Sequence, residues 1–199
     1  YYILYKMNDL ILVRHGQSLW NKERRFTGWV DVELTEHGKS EAKLAGQLIK
    51  ELNIKFDIYF TSVQKRAIHT IEIIMDVLNK KNSEIKKAWE LNERHYGALT
   101  GLNKDEMKKK HGEKQVHIWR RSFDVAPPPM EKTNPNHPSK NKAYIGIPTN
   151  KIPSCESLKN TFERVLPYYE KNIKPLLSSN KNILIAAHGN SLRALCKKL

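Results

Sequence analysis

Cysteine is scarce, with two residues in the chain, Cys155 and Cys196, and neither belongs to a metal or redox motif. That excludes a disulfide-stapled secreted scaffold and fits a reducing compartment. Long apolar runs are also missing. Leu10 to Val13 and Ile183 to Ala187 are too short to span a bilayer, and Tyr1 to Lys6 lacks the architecture of a signal peptide. Met7 reads as a natural start behind a short leader, and the expected address is cytoplasmic, with no membrane partner. There is no P-loop, no zinc-ligand spacing and no aromatic RNA-binding motif. Acidic residues are in deficit, 21 against 35 lysines and arginines, giving a net charge of +14. Charge alone does not choose among nucleic acid, membrane and small anions. The densest run, Lys108 to Lys110, stands beside Asp105 and Glu106 in a polar helical stretch and reads as a solvated face, so no nucleic-acid partner is expected.

What is present is an alternation of short apolar runs with longer amphipathic ones across 199 residues. This is the α/β signature, in a single domain covering 1–199. Leu10 to Val13 reads as a buried strand that stops at Arg14-His15-Gly16. A helix follows from Thr35 to Leu52, capped by Thr35, with Ala42, Ala45, Leu48, Ile49 and Leu52 on one face. Phe56 to Phe60 is the next strand. The helix after it carries Ala67, Ile68, Ile71, Ile74, Val77 and Leu78 at helical spacing, and Trp89 to Leu91 reads as a short strand.

A polar insertion spans 98–153. Asn103 to His111 is expected to be helical, capped by Asn103 and stopped by Gly112, with a second short helix from Glu113 to Arg121. From Phe123 to Pro153 the chain is rich in Pro, Asn and Lys. It reads as a long surface excursion and a candidate lid. Helix resumes near Glu156 with a kink at Pro167. Ile183 to Ala187 is the last strand, and the helix from Ser191 runs to Leu199 without a stop signal, so further sequence is expected beyond it.

One pattern repeats. Ile11 to Ser18 and Ile185 to Ser191 each run from an apolar strand into His-Gly, then an amide residue, then Ser. Ligands of parallel α/β sheets bind beyond the carboxyl ends of strands, so two such ends present His15 and His188 to one pocket. The glycines, Gly16 and Gly189, are expected to let the backbone approach an anion. Arg14 and Arg66, also at strand ends, offer planar donor forks that match phosphate oxygens. With neither a P-loop nor a metal cluster, the nucleophile for phosphoryl transfer is a side chain, and a neutral imidazole at His15 qualifies. His188 serves best as a donor to the transferring group. Glu93 is the candidate proton shuttle, although an ion pair with its neighbour Arg94 explains it equally well from sequence.

These residues carry a resemblance. Leu12-Val13-Arg14-His15-Gly16 is similar to the signature of the histidine phosphatase superfamily. Arg14 to Ser18 with Trp20-Asn21 and Phe26 to Trp29 resembles the cofactor-dependent phosphoglycerate mutases more closely. The likeness continues through Leu91 to Gly97, Trp119 to Ser122, Cys155 to Leu158 and Ala187 to Ser191, and covers nearly the whole chain. It implies a three-layer α/β/α fold with a mostly parallel sheet. The activity it implies is interconversion of 3-phosphoglycerate and 2-phosphoglycerate, primed by 2,3-bisphosphoglycerate without a metal. His15 would carry the phosphoryl group, Glu93 would move the proton, and His188, Arg14 and Arg66 would complete the catalytic set. Substrate contacts carry over to Ser18, Asn21, Thr27, Gly28, Tyr96, Lys104, Arg120, Arg121, Gly189 and Asn190. By the same analogy the protein forms a homodimer or homotetramer. A bisphosphoglycerate synthase or a phosphatase on the same scaffold is the alternative. Leu19 departs from a frequently acidic position and is expected to tune activity rather than remove it. Loss of the segment expected beyond Leu199 would shift activity towards hydrolysis.

Overall fold

A computed structural model describes residues 8–199. The expected leader, Tyr1 to Lys6, and the start at Met7 lie outside the described residues. Four strands form one sheet: β1 (Leu10–Arg14), β2 (Ile58–Thr61), β3 (Ile85–Lys87) and β4 (Ile183–Ala187). Their order is β1-β4-β2-β3 and every pairing is parallel. The register sets Arg14 beside Ala187 and Thr61 beside Ala186, so three strands end together.

β4 explains why helices cover both faces. All five of its residues are fully buried, and alternate side chains point to opposite faces. Ile183, Ile185 and Ala187 join Val165, Tyr169, Leu192 and Leu195, which come from the segment beginning with α6 (Leu158–Tyr168) and from α8 (Gly189–Lys198). Leu184 and Ala186 join Ile49, Ile71, Ile74 and Met75 from α2 (Glu36–Glu51) and α3 (Lys65–Val77). The result is the three-layer α/β/α architecture.

Thr35 caps α2 as its sequence predicts, accepting from the Gly38 N–H at 3.0 Å. The buried face differs, however. It is Gly38, Ala42, Gly46 and Ile49, while Leu48 and Leu52 are 54% and 55% exposed. Gly46 faces α3 in this rotation: a Cβ there would lie 3.0 Å from the Val77 Cβ and 3.3 Å from the Ile74 Cα, so the helices approach closely where α2 has no side chain. Residues 89–91 are a 3-10 turn rather than a strand, the third strand having ended at Lys87. The interruption near Pro167 is a π turn at Tyr169–Ile173, which joins α6 to α7 (Lys174–Ser178). Pro167 itself stays inside α6, and the widening comes after it, directly ahead of Pro175 in the first turn of α7.

In the insertion, α4 (Lys104–His111) and α5 (Glu113–Arg121) form as expected, with Asn103 accepting from the Asp105 and Glu106 N–H groups. Gly112 joins them at φ 82°, the left-handed region that glycine adopts without penalty. Phe26, Leu99, Met107 and Val116 bury a small separate core beneath them. The stretch 123–153 holds only short 3-10 turns. It is nevertheless anchored, with Met130, His137 and Tyr144 buried.

Candidate active site

Because β1 and β4 are parallel neighbours, the residues that follow them meet. The His15 N–H donates to the Ala187 carbonyl at 3.0 Å, and the rings of His15 and His188 lie 5.0 Å apart at 61°. The His15 Nδ1 is 2.7 Å from the Gly16 carbonyl. A carbonyl only accepts, so Nδ1 carries the proton and Nε2 keeps its lone pair. Burial first, then the Arg66 and Arg14 cations, lower the His15 pKa to about 3. The ring is therefore neutral around neutral pH, the state a nucleophile needs.

Gly16 has a different cause from the expected one. Its N–H donates to the Thr70 hydroxyl, and a Cβ there would meet the Gly38 carbonyl oxygen at 2.1 Å. Glycine is needed where the segment leaving β1 crosses the start of α2, not for an anion. Gly189 keeps the expected placement: it opens α8, where first-turn amides lack intrahelical acceptors, and it lines the cleft.

His188 is fully buried, with Nε2 2.7 Å from the Ser62 Oγ. Buried Ser62 Oγ has two partners among the described residues; the Gln64 N–H can only donate, so the hydroxyl proton goes to the His188 Nε2. This leaves the proton of His188 on Nδ1, a buried atom without a protein partner among the described residues. Burial, then Arg66 and His15, drive its pKa well below the usual value, so it is a neutral donor. Sequence inspection missed Ser62 as an orienting group, although it stands at the end of β2 as His15 does at β1. We expect Ser62→Ala to lower kcat about tenfold with little change in KM, because the tautomer of His188 is released. Steady-state kinetics at neutral pH would check this; an unchanged kcat would remove Ser62 from the site.

A cleft of about 320 Å³ opens over His15. Its walls carry seven cationic side chains, Arg14, Arg25, Arg66, Lys104, Arg120, Arg121 and Arg193, against one carboxylate, Glu93. Asn21, Thr27, Gly28, Tyr96 and Asn190 complete it with Gly189. Of the residues expected from sequence, all line this cleft except two. His188 lies beneath His15. Ser18 is wholly buried, where its Oγ accepts from the Asn21 N–H and caps α1 (Leu19–Lys22). Arg25 and Arg193 were missed. Arg193 follows Asn190 by three helical positions, a spacing that could have shown it. Arg25 is held over the Trp20 ring at 4.2 Å and donates to the Gly101 carbonyl. The excursion 123–153 contributes no lining residue.

Arg66 is 1% exposed and has no ion-pair partner among the described residues. It donates instead to the carbonyls of Val30 and Gly28, each at 2.9 Å. Those neutral acceptors fix the guanidinium without cancelling its charge. Lys104 loses charge more readily than usual: burial, then the nearby Arg120, Arg24 and Arg14, lower its pKa to about 8.

Glu93 makes no ion pair with the Arg94 guanidinium among the described residues. Its Oε1 accepts from Asn190 Nδ2 at 2.9 Å and from the Arg94 backbone N–H at 2.8 Å. The Arg94 guanidinium instead lies over the Tyr96 ring and donates to the Arg120 carbonyl. The loop bearing Glu93 is clamped from behind. Arg164 pairs with buried Glu156 at 2.6 Å and donates to the carbonyls of Glu90, Asn92 and Glu93, while Glu156 accepts from the His95 N–H.

Among the described residues, no three His, Cys, Asp or Glu side chains are grouped to hold a metal ion, and no helix is long and apolar enough to cross a membrane.

Comparison with known proteins agrees with this geometry. Residues 10–137 match the model of the histidine phosphatase superfamily (branch 1). The 2,3-bisphosphoglycerate-dependent phosphoglycerate mutase of Pelagibacter ubique is 57% identical over 193 residues, covering 97% of this chain and 81% of that protein. The protein of the same name from Xylella fastidiosa strain M12 is 54% identical over 190 residues, covering 96% and 76%. In fold, the solved structure named Mycobacterial hydrolase 1 superposes with a TM-score of 0.69 at 20% identity, covering 95% of this chain and 79% of that one. The chain belongs to the histidine phosphatase superfamily and, within it, to the 2,3-bisphosphoglycerate-dependent phosphoglycerate mutases.

Proposed function

We propose that the protein interconverts 3-phosphoglycerate and 2-phosphoglycerate by carrying a phosphoryl group on His15. The observation that carries this reading is a neutral imidazole with its Nδ1 pinned, on the floor of a cleft with seven cations and one carboxylate. A substrate with a phosphate and a carboxylate suits such a charge balance, and its hydroxyl needs one group able to exchange a proton.

The His15 Nε2 attacks phosphorus, and the bond from phosphorus to the departing oxygen breaks. Arg14 and Arg66 neutralise the equatorial oxygens, and the His188 Nδ1–H donates to the same group. In the return step the substrate hydroxyl attacks phosphorus, the bond to Nε2 breaks, and Glu93 accepts the hydroxyl proton. Glu93 returns that proton to the oxygen released in the next transfer. Arg120, Arg121 and Lys104 hold the far anionic end, with Asn21, Thr27, Gly28, Tyr96 and Asn190 fixing orientation. Ser18 acts through Asn21. The cleft fits 2,3-bisphosphoglycerate, because buried Arg66 has no ion pair among the described residues and the remaining cations outnumber the carboxylate. When bound, that compound supplies the priming phosphoryl group.

We read the chain as one domain in which the insertion at 98–153 supplies the distal cations. No metal, nucleic acid or membrane is needed for the chemistry, and a cytoplasmic address and a homo-oligomer accord with the family reading. Mutase turnover of 3-phosphoglycerate should depend on trace 2,3-bisphosphoglycerate and persist in excess chelator. Turnover that needs a divalent ion, or a hydrolysis rate exceeding the mutase rate, would overturn the reading.

A further inference from the structure

Gln64 precedes α3 but does not cap it. Its side chain turns inward and is fully buried. There the amide uses all four of its hydrogen-bonding positions. Oε1 accepts from Arg66 Nη2 at 3.2 Å and from the Glu93 N–H at 3.0 Å. Nε2 donates to the Gly28 carbonyl and to the Tyr144 hydroxyl, each at 3.1 Å. A backbone N–H only donates and a carbonyl only accepts, so these partners fix the amide in one orientation. One side chain thus ties together the guanidinium of Arg66, the backbone of Glu93 and the turn at Gly28.

The fourth partner comes from far away in sequence. Tyr144 belongs to the excursion 123–153, is 2% exposed, and packs its ring 4.9 Å from that of Trp29. Its hydroxyl donates to the Trp29 carbonyl, which leaves its lone pair for Gln64. Burial pushes its phenol up, so the hydroxyl stays protonated. A mobile lid would have its polar groups exposed when open; this one is docked behind the site floor.

We propose that Gln64 is a positioning residue that holds Arg66 in register with Glu93, and that Tyr144 acts through it. The excursion is then a buttress of the site. The inference rests on the mutase reading and deepens it. Neither residue touches the cleft, so their loss should act on the transfer step more than on substrate affinity.

The test compares Tyr144→Phe, Gln64→Met and the double variant in the full chain. Tyr144→Phe removes one oxygen and keeps the ring, so it reports even if Gln64→Met fails to fold. We expect kcat on 3-phosphoglycerate to fall about fivefold in Tyr144→Phe and about tenfold in Gln64→Met, with KM within about twofold. The double variant should match Gln64→Met alone in kcat, because Tyr144 reaches Arg66 and Glu93 through the amide, while its bond to the Trp29 carbonyl holds the excursion and bears on stability. Wild-type kcat in either single variant, or multiplying losses in the double, would overturn the proposal. If the wild-type protein shows no mutase turnover, that sinks the mutase reading, and the hydrolysis rate of a simple aryl phosphate in the same variants decides this one.

Discussion

His15→Ala is expected to abolish both labelling by 2,3-bisphosphoglycerate and mutase turnover, a loss of about 10⁴-fold or more. The size follows from the absence of a substitute. Among the described residues His188 is the only other imidazole at the site, and its Nε2 is committed to Ser62. Its Nδ1 carries a proton and has no lone pair to offer. Restoring a nucleophile there would require breaking the Ser62 contact inside a fully buried pocket. The fold should survive the substitution, since among the described residues the His15 side chain makes one hydrogen bond, to the adjacent Gly16 carbonyl. Transfer of labelled phosphoryl to the protein, followed by coupled turnover, separates the two halves of the claim. A labelled, turning-over His15→Ala protein would end the phosphohistidine mechanism. An unlabelled protein that still binds bisphosphoglycerate would show that the cations bind independently of the nucleophile.

Much of this site was legible in the sequence because its parts sit at strand ends. The paired His-Gly segments are adjacent only if β1 and β4 are neighbours, and the apolar runs preceding them are what a doubly covered parallel sheet requires. Helix limits with chemical punctuation, such as Thr35, Asn103 and Gly112, were also legible. What was not legible depends on contacts between distant segments. The rotation of α2, which exposes Leu48 and Leu52, places Gly46 against Val77. The purpose of Gly16 is visible only once Gly38 crosses it. Gln64 reads locally as a polar residue at a helix start. Its role requires Tyr144, 80 residues away.

Acidification should destabilise the protein steeply below pH 6.5, and the same buried histidines are the cause. His15 and His95 are both lowered to about 3, and His188 is lowered well below its usual value. Burial is the leading cause in each, followed by Arg66 for His15 and His188, and by His137 and Arg164 for His95. The sign follows from which state binds more protons. In the unfolded chain these imidazoles protonate near 6.5, while in the folded chain they stay neutral until far lower pH. Protons therefore favour the unfolded state, and stability present above 6.5 is lost as pH falls towards the folded values. Each histidine contributes a slope of about 1.4 kcal/mol per pH unit once the unfolded chain is fully protonated, so three give about 4. Against an ordinary domain stability of about 5–15 kcal/mol, that slope exhausts the fold within a few pH units. Asp31 works in the opposite sense, because burial raises its carboxyl. Urea midpoints at pH 7.5, 6.5, 5.5 and 4.5 measure the slope directly. His95 offers the clean control: it does not line the cleft, and its Nδ1 accepts from the Gly97 N–H, a bond that the oxygen of His95→Asn can replace. That variant should lose about a third of the slope, while a flat profile between pH 6.5 and 4.5 in the wild-type protein would show that these histidines fold in their charged state.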